Sequence, residues 1–245
     1  MTGISFHDAR GPEGMVVYAI GDVHGRLDLL AEMHAQIAAE IIRRRPADWR
    51  IVHLGDYVDR GPDSKGVIEF LIRQTAADGR MMSLVGNHDI GFLDFLADPE
   101  PEGLFATYGG VQTARSYGVE LDFLDMDGFR ASARALDAAV PRSHRDFLRA
   151  LKFSVIFGDF FFCHAGIRPG VALDAQDPLD LIWIRGEFHG HLELYPKVVV
   201  HGHTPVPEPE VCANRVNVDT GAFASGRLTA LVIDGAEKNL LAVEA

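Results

Sequence analysis

Five apolar runs, each ending in polar side chains, are the feature that most constrains how this chain of 245 residues can fold. The runs end in the motifs GDVHG at 21–25, GDYVDRG at 55–61, GNHD at 86–89, HAG at 164–166 and HGHTP at 201–205. Because ligands of open α/β sheets lie outside the carboxyl ends of the strands, five such ends are expected to converge. Aspartate, asparagine and histidine gathered in this way have the composition of a metal site.

The first 90 residues alternate apolar, β-prone runs with amphipathic helical stretches, which predicts a β–α–β–α–β order. A helix is expected directly after GDVHGR, with its apolar side chains recurring on one face. A second helix is expected after GDYVDRG, with Asp63 or Ser64 as its N-cap. The apolar positions that define the two faces are Leu30, Met33, Ile37 and Ile41, and then Val67, Ile68, Leu71 and Ile72.

The rest of the chain changes character twice. Residues from 90 to about 150 are rich in helix formers and predict a helical insertion that covers one side of the site. Residues 152–163 read as a hairpin around a Gly–Asp turn, and further strands follow from 197 to 244. We therefore expect an α/β chain with α+β character, folded as a single domain over 1–245, in which two sheets pack together between outer helices.

Composition excludes several classes of protein. The formal net charge of −12 disfavours a nucleic-acid partner, because the chain and the phosphates repel each other. The two cysteines, Cys163 and Cys212, form no CxxC pair, which indicates a reducing cytoplasm. No apolar stretch is long enough to span a membrane, and no signal peptide is visible, so a cytoplasmic protein without a membrane partner is expected.

The donors suit two divalent metal ions. Asp56 is the natural bridge, since a carboxylate can share its two oxygens between two ions. Nitrogen and oxygen donors without thiolate suit Mn²⁺, Fe or Zn²⁺, and ions roughly 3.5–4 Å apart lower the pKa of a shared water toward about 7. The expected ligands are Asp22, His24 and Asp56 for one ion, and Asp56, Asn87, His164 and His203 for the other. Simple capping and turn roles at strand ends are the alternative.

Three further residues have chemistry beyond metal binding. Arg60 leaves the same strand end as Asp56 and can bind a phosphate at the metals through its guanidinium fork. Asp59 can orient His88, which would protonate the leaving oxygen as a general acid. A solvated Asp–Arg pair in a polar turn is the alternative for this segment.

At these residues the chain resembles the phosphoprotein phosphatase family of calcineurin-like metallophosphoesterases, and most of all its small bacterial and bacteriophage lambda type. The resemblance covers Gly21 to about Leu231. It implies an αββα sandwich of two mixed β-sheets flanked by helices and a dinuclear centre that is often active with manganese. It also implies that Arg185, in WIRGEF, is the second arginine that binds phosphate, and that Asp59 and His88 form the catalytic pair.

The expected function is that of a metal-dependent phosphomonoesterase in which a hydroxide bridging the two metals attacks phosphorus. A serine/threonine protein phosphatase is the leading assignment, acting on a phosphoprotein or a small phosphorylated substrate. Asp89, where such phosphatases have glutamate, and the HAGI sequence also resemble diadenosine tetraphosphate hydrolases, which are the alternative. A non-catalytic module that binds phosphorylated ligands is disfavoured, because the ligand, acid and arginine positions are all filled.

Overall fold

Two five-stranded sheets packed face to face form the centre of the molecule in a computed structural model, which describes residues 3–245. The strands are β1 (Met15–Ile20), β2 (Asp48–His53), β3 (Met81–Ser83), β4 (Ser154–Phe157), β5 (Phe160–Cys163), β6 (Val198–His201), β7 (Glu210–Val211), β8 (Arg215–Asn217), β9 (Arg227–Asp234) and β10 (Glu237–Glu244). The helices are α1 (Leu27–Arg44), α2 (Ser64–Ala77), α3 (Asn87–Ala97), α4 (Leu104–Thr107), α5 (Gly110–Ser116), α6 (Met126–Ala139), α7 (Arg142–Arg149), α8 (Pro178–Trp183), α9 (Gly186–His189) and α10 (Ala222–Ser225). Within residues 3–245, no helix has the length and apolar character needed to cross a membrane.

The first sheet has the order β10-β9-β1-β2-β3. Strands β1, β2 and β3 are parallel, as the β–α–β–α–β pattern predicts, and Asp63 is the N-cap of α2, where its side chain accepts the N–H of Gly66. The last two strands return to this sheet, because β9 pairs antiparallel with β1 and β10 pairs antiparallel with β9. The first sheet is therefore mixed and is built from both ends of the chain.

The second sheet has the order β4-β5-β6-β8-β7. The predicted hairpin is present, since β4 and β5 pair antiparallel around Gly158 and Asp159. Strands β5, β6 and β8 are parallel, so their carboxyl ends lie at one edge of the sheet. This edge carries the histidines that the sequence analysis selected after β5 and β6.

Side chains alternate between two core layers along β1. Val16, Tyr18 and Ile20 face the outer helices, whereas Val17 and Ala19 face the second sheet. This is the period of two that a strand buried on both faces requires. The result is the αββα sandwich expected from the sequence.

Five helices, α3 to α7, fill the chain between β3 and β4. Their aromatic side chains pack into the same cluster as the outer face of the first sheet, including Phe92 stacked on Phe105 at 5.1 Å between ring centroids. The helical character of residues 90–150 is thus observed. That this segment is an insertion into one domain spanning 1–245 remains our proposal.

Candidate active site at the converging strand ends

The strand ends that carry the five motifs meet in one buried cluster. Asp22 and His24 follow β1, Asp56 follows β2, and Asn87 begins α3 just beyond β3. His164 follows β5 and His203 follows β6 in the second sheet. All six predicted ligands are between 0% and 5% exposed. The convergence inferred from the sequence is therefore a property of the fold, although ligand roles stay predictions.

Strained backbone is concentrated at this cluster. Among residues 3–245, the side-chain-bearing residues with positive φ are His24, Arg45, Asp56, Asp59, Arg60 and His203. All but Arg45, which ends α1, are residues that the sequence analysis placed in the site. Such conformations are costly for residues with a Cβ and persist where the surrounding structure fixes them. These backbone conformations therefore lower the stability of the fold while orienting the side chains toward the cluster.

Two glycines permit the close approach of carboxylates. A Cβ on Gly86 would lie 2.1 Å from Asp56 Oδ1, and a Cβ on Gly202 would lie 2.0 Å from Asp22 Oδ1. Neither position can hold a side chain without displacing a carboxylate. This explains why GNHD and HGH each place glycine directly before a donor residue.

The two oxygens of Asp56 face two different histidines. Oδ2 lies 3.4 Å from His24 Nε2, and Oδ1 lies 3.4 Å from His164 Nε2. Nδ1 of His24 donates to the carbonyl of Val58 at 2.7 Å, and Nδ1 of His164 donates to the carbonyl of Leu54 at 3.0 Å. These bonds hold the protons on Nδ1, so each Nε2 presents a lone pair. Lone pairs that face carboxylate oxygens on both sides of Asp56 can each bind a cation shared with that carboxylate.

Asn87 adds a third acceptor beside His164. Its Oδ1 lies 3.0 Å from His164 Nε2 and 2.9 Å from His203 Nδ1. His24, Asp56 and His88 form one group able to hold an ion, and Asp56, His164 and His203 form another. Burial lowers the pKa of His24 to about 3 and that of His203 to about 2, which keeps both rings neutral, as metal ligands must be. The donor set therefore fits two divalent ions that share Asp56.

A further buried carboxylate, that of Asp219, lies near Asp22 and was not selected from the sequence. The carboxylate of Asp22 accepts the backbone N–H of His203 at 3.1 Å. Burial raises the pKa of Asp22, and so do the carboxylates of Asp219, which follows β8 and is 1% exposed, and of Asp56. The pKa of Asp219 itself is raised to about 6 by burial. A sixth strand end thus contributes a carboxylate, and the added negative charge strengthens the requirement for cations.

His88 and Asp59 form a buried pair beside the metal cluster. His88 Nδ1 donates to Asp59 Oδ2 at 2.7 Å, and Thr113 donates to the other oxygen at 3.0 Å. Burial alone would lower the pKa of His88, but the carboxylates of Asp56 and Asp59 outweigh burial and raise it. Arg60 Nη2 donates to His88 Nε2 at 2.9 Å. The predicted acid and the predicted phosphate-binding arginine are therefore in direct contact.

Arg185 lies between α8 and α9 and contacts the cluster at His203. Its Nε donates to His203 Nε2 at 3.0 Å, and the ring of Trp183 meets His203 edge-to-face at 5.9 Å between centroids. Arg168 ties the two helices together by donating to Asp180 at 2.6 Å and to Glu187 at 2.5 Å. Arg185 is exposed, so its guanidinium can reach a bound anion.

Asp89 has a structural role that the motif alone did not show. Its carboxylate accepts the backbone N–H groups of Asp56 and Tyr57, each at 2.9 Å, and that of Gly86 at 2.8 Å. Burial beside Asp56 raises the pKa of Asp89 to about 7, while the three N–H groups favour its charged form. Asp89 thus joins the loop after β2 to the start of α3.

Replacing Asp89 with alanine should destabilise the metal-free protein by about 3–5 kcal/mol, because three buried N–H groups lose their acceptor. Chemical denaturation in the presence of a chelator measures this change. Asp94→Ala, on the exposed face of the same helix, is the control and should change the free energy of unfolding by less than about 0.5 kcal/mol. Equal effects of the two variants would contradict the role given to Asp89.

Comparisons with known proteins identify the family of the chain. The family model described as calcineurin-like phosphoesterase matches residues 15–226. A bis(5'-nucleosyl)-tetraphosphatase PrpE [asymmetrical] of Oceanobacillus iheyensis is 27% identical over 238 residues, covering 88% of each chain. The corresponding protein of Anoxybacillus flavithermus is 24% identical, covering 89% of this chain and 90% of its own.

Solved structures share the fold. A protein provisionally described as a diadenosine tetraphosphatase superposes with a TM-score of 0.67 at 20% identity, covering 94% of this chain and 93% of that one. A serine/threonine phosphatase from Saccharomyces cerevisiae superposes with a TM-score of 0.53 at 14% identity, covering 98% of this chain and 85% of that one. The match of the family model over residues 15–226 shows that the chain belongs to the calcineurin-like phosphoesterase family.

Proposed function

We propose that this phosphoester hydrolase cleaves dinucleoside polyphosphates such as diadenosine tetraphosphate, with Mn²⁺ as its divalent ion. The observation that carries the proposal is a cavity of about 320 Å³ that shares Asn87 with the metal cluster. The two curated relatives described above carry the name of this activity. The protein phosphatase assignment expected from the sequence becomes the second candidate.

The cavity has walls suited to a nucleobase. Ile90, Leu104, Leu179 and Trp183 line it with apolar surface, and Trp183 is 42% exposed, so its ring is open to stacking. Stacking of a base on an aromatic side chain contributes about 1–3 kcal/mol. A phosphate chain held at the cluster would enter past Asn87 and place its base against these walls.

Carboxylates at the rim complement the amino group of adenine. Asp94, Asp98 and Glu100 line the same cavity and offer acceptors to an exocyclic N–H₂ group. The same carboxylates would repel additional phosphates, so the polyphosphate chain is expected to stay on the side of the two arginines. The cavity therefore separates a base-binding end from a phosphate-binding end.

The roles of the chain's own residues follow from their positions. Divalent ions, when bound, supply Lewis-acid polarisation of the phosphate and lower the pKa of the attacking water. Arg60 contacts His88 and Arg185 contacts His203, and each arginine can donate to phosphate oxygens. Because Arg60 occupies Nε2 of His88, a phosphate that draws Arg60 away frees this nitrogen to carry the proton for the leaving group.

The second candidate, a phosphoprotein phosphatase, is favoured by the charge of the same rim. Asp94, Asp98 and Glu100 would attract basic residues next to a phosphoserine or phosphothreonine. A phosphatase of this kind should prefer basic over acidic phosphopeptides, and salt should weaken the preference.

The two candidates predict different results for Trp183→Ala: a selective loss of activity on the dinucleotide in the first case and no selective loss in the second. Trp183→Ala should lower kcat/KM for diadenosine tetraphosphate by roughly 5- to 100-fold, because one stacked base is lost. Its kcat/KM for p-nitrophenyl phosphate should change by less than about threefold, since this substrate does not reach the cavity. Steady-state rates with Mn²⁺ supplied measure both values, and Leu124→Ala, at a side chain 93% exposed, is the control.

The kcat/KM values of the wild-type protein on the two classes of substrate decide between the candidates. A kcat/KM for diadenosine tetraphosphate well above that of matched basic phosphopeptides supports the nucleotide assignment. The reverse order, with no selective loss in Trp183→Ala, would replace it with the protein phosphatase.

A further inference from the structure

Phe223 is an aromatic residue on α10 whose ring contacts two residues of the candidate site. The guanidinium carbon of Arg60 lies 4.8 Å from the centroid of the Phe223 ring. The ring of His24 lies 5.4 Å away, at an interplanar angle of 83°. Phe223 is half-buried, so it reaches the cluster from the surface. The sequence analysis assigned it no role.

Arg60 needs a support of this kind. Its backbone has a φ of 66°, and its N–H donates to the carbonyl of Gly109 at 3.0 Å, which fixes where the side chain begins. Beyond that point a long arginine side chain retains much rotamer freedom, which binding must remove. The face of an aromatic ring attracts a guanidinium while leaving its N–H groups free to bind other partners. Phe223 therefore restrains Arg60 without using the donors that a phosphate needs.

The backbone directly before Phe223 is held in place by hydrogen bonds. Arg26 Nη1 donates to the carbonyl of Ala222 at 2.9 Å, and Arg26 is fixed by two bonds to Asp28, at 2.9 and 2.6 Å. Asp219 Oδ1 accepts the N–H of Gly221 at 2.9 Å, which closes the turn before α10. Contacts at Gly221 and Ala222 thus limit movement of the ring relative to the cluster.

We propose that Phe223 is a positioning residue that keeps the guanidinium of Arg60 beside His88, from which it can turn to bind the phosphate of the substrate. The inference rests on phosphoester hydrolysis at this site and is independent of which phosphoester is hydrolysed. Since the attraction depends on the π-face, an aromatic replacement should keep the function and an aliphatic one of similar size should lose it.

Phosphate binding tests this directly. Isothermal titration of the Mn²⁺-loaded protein with inorganic phosphate should give a dissociation constant about 3- to 30-fold higher in Phe223→Leu, but within about twofold of wild type in Phe223→Tyr. The KM for p-nitrophenyl phosphate should rise in parallel, with a smaller change in kcat. Phe123→Leu, at a ring 46% exposed in the helical segment, is the control and should leave both values unchanged.

A double-mutant cycle separates positioning of Arg60 from general packing. In an Arg60→Ala background, Phe223→Leu should change phosphate affinity by less than about twofold, because its partner is already gone. A loss in that background as large as in wild type would overturn the proposal. So would reduced metal content in Phe223→Leu, because the ring would then act through His24 instead of Arg60.

Discussion

Asp56→Asn is expected to lose both divalent ions and to lower kcat/KM by on the order of 10³-fold or more, because Asp56 supplies an oxygen to each side of the cluster. Its Oδ2 faces His24 Nε2 and its Oδ1 faces His164 Nε2, each at 3.4 Å. Asparagine preserves the shape and tolerates the positive φ of 53° at this position. It removes one negative charge and turns one acceptor into a donor, which would satisfy a histidine lone pair without any metal.

Metal analysis of the purified variant measures this result together with activity. Wild-type protein loaded with Mn²⁺ should hold two ions per chain, and Asp56→Asn should hold markedly less than one. Asp174→Asn makes the same chemical change at an exposed carboxylate and is the matched control. If Asp56→Asn retained two ions with unchanged affinity, the bridging role would be wrong.

The architecture follows from local patterns wherever strand and motif are adjacent in sequence. The apolar run before GDVHG forms β1 (Met15–Ile20), and Asp63, one of the two predicted N-caps, caps α2. The return of β9 and β10 to the first sheet could not be read in this way. Pairing of β9 with β1 joins residues more than 200 positions apart and is decided by which sheet face they bury.

The site was predictable where an apolar run leads directly into a donor. Asp219 was not predicted as a site residue, because the strand before it reads RVN and two of these three residues are polar. Val218–Asp219–Thr220–Gly221 nevertheless continues the pattern of a strand that ends in a polar residue. Phe223 could not be selected from the sequence, since a single phenylalanine in the segment GAFASG has no periodicity. Its neighbours Arg60 and His24 lie far away in sequence, and only the folded chain places them beside it.

The motif correctly marked Asp89 as a residue near the site, but the role of its carboxylate could not be predicted from the motif. In the sequence it marked a departure from protein phosphatases that leaned toward nucleotide substrates. In the structure Asp89 is fully buried, and its carboxylate accepts three backbone N–H groups. The substrate preference must therefore come from elsewhere, and the cavity between α3 and α8 is the part of the described chain that joins Asn87 to an apolar wall.

The second large effect concerns His88, whose contribution should depend on the leaving group. Its Nδ1 is fixed by Asp59, so Nε2 is the atom that can deliver a proton. An alkoxide leaving group needs that proton, and general acid catalysis contributes about 10²–10⁴-fold. A nucleotide leaving from a dinucleoside polyphosphate departs as a phosphate anion of low basicity and needs much less assistance.

His88→Asn should therefore lower kcat by about 10²–10⁴-fold on an alkyl phosphate, and far less on p-nitrophenyl phosphate and diadenosine tetraphosphate. The pH dependence of kcat on the alkyl phosphate also tests whether His88 acts as the general acid. Burial lowers the pKa of His88, but Asp59, which accepts its Nδ1 proton and binds no ion, raises it; wild-type kcat on the alkyl phosphate should therefore stay high below that pKa and fall as the pH rises through it. The variant should lack this fall. Equal losses on all three substrates, with the alkaline fall retained, would mean that His88 only positions the site.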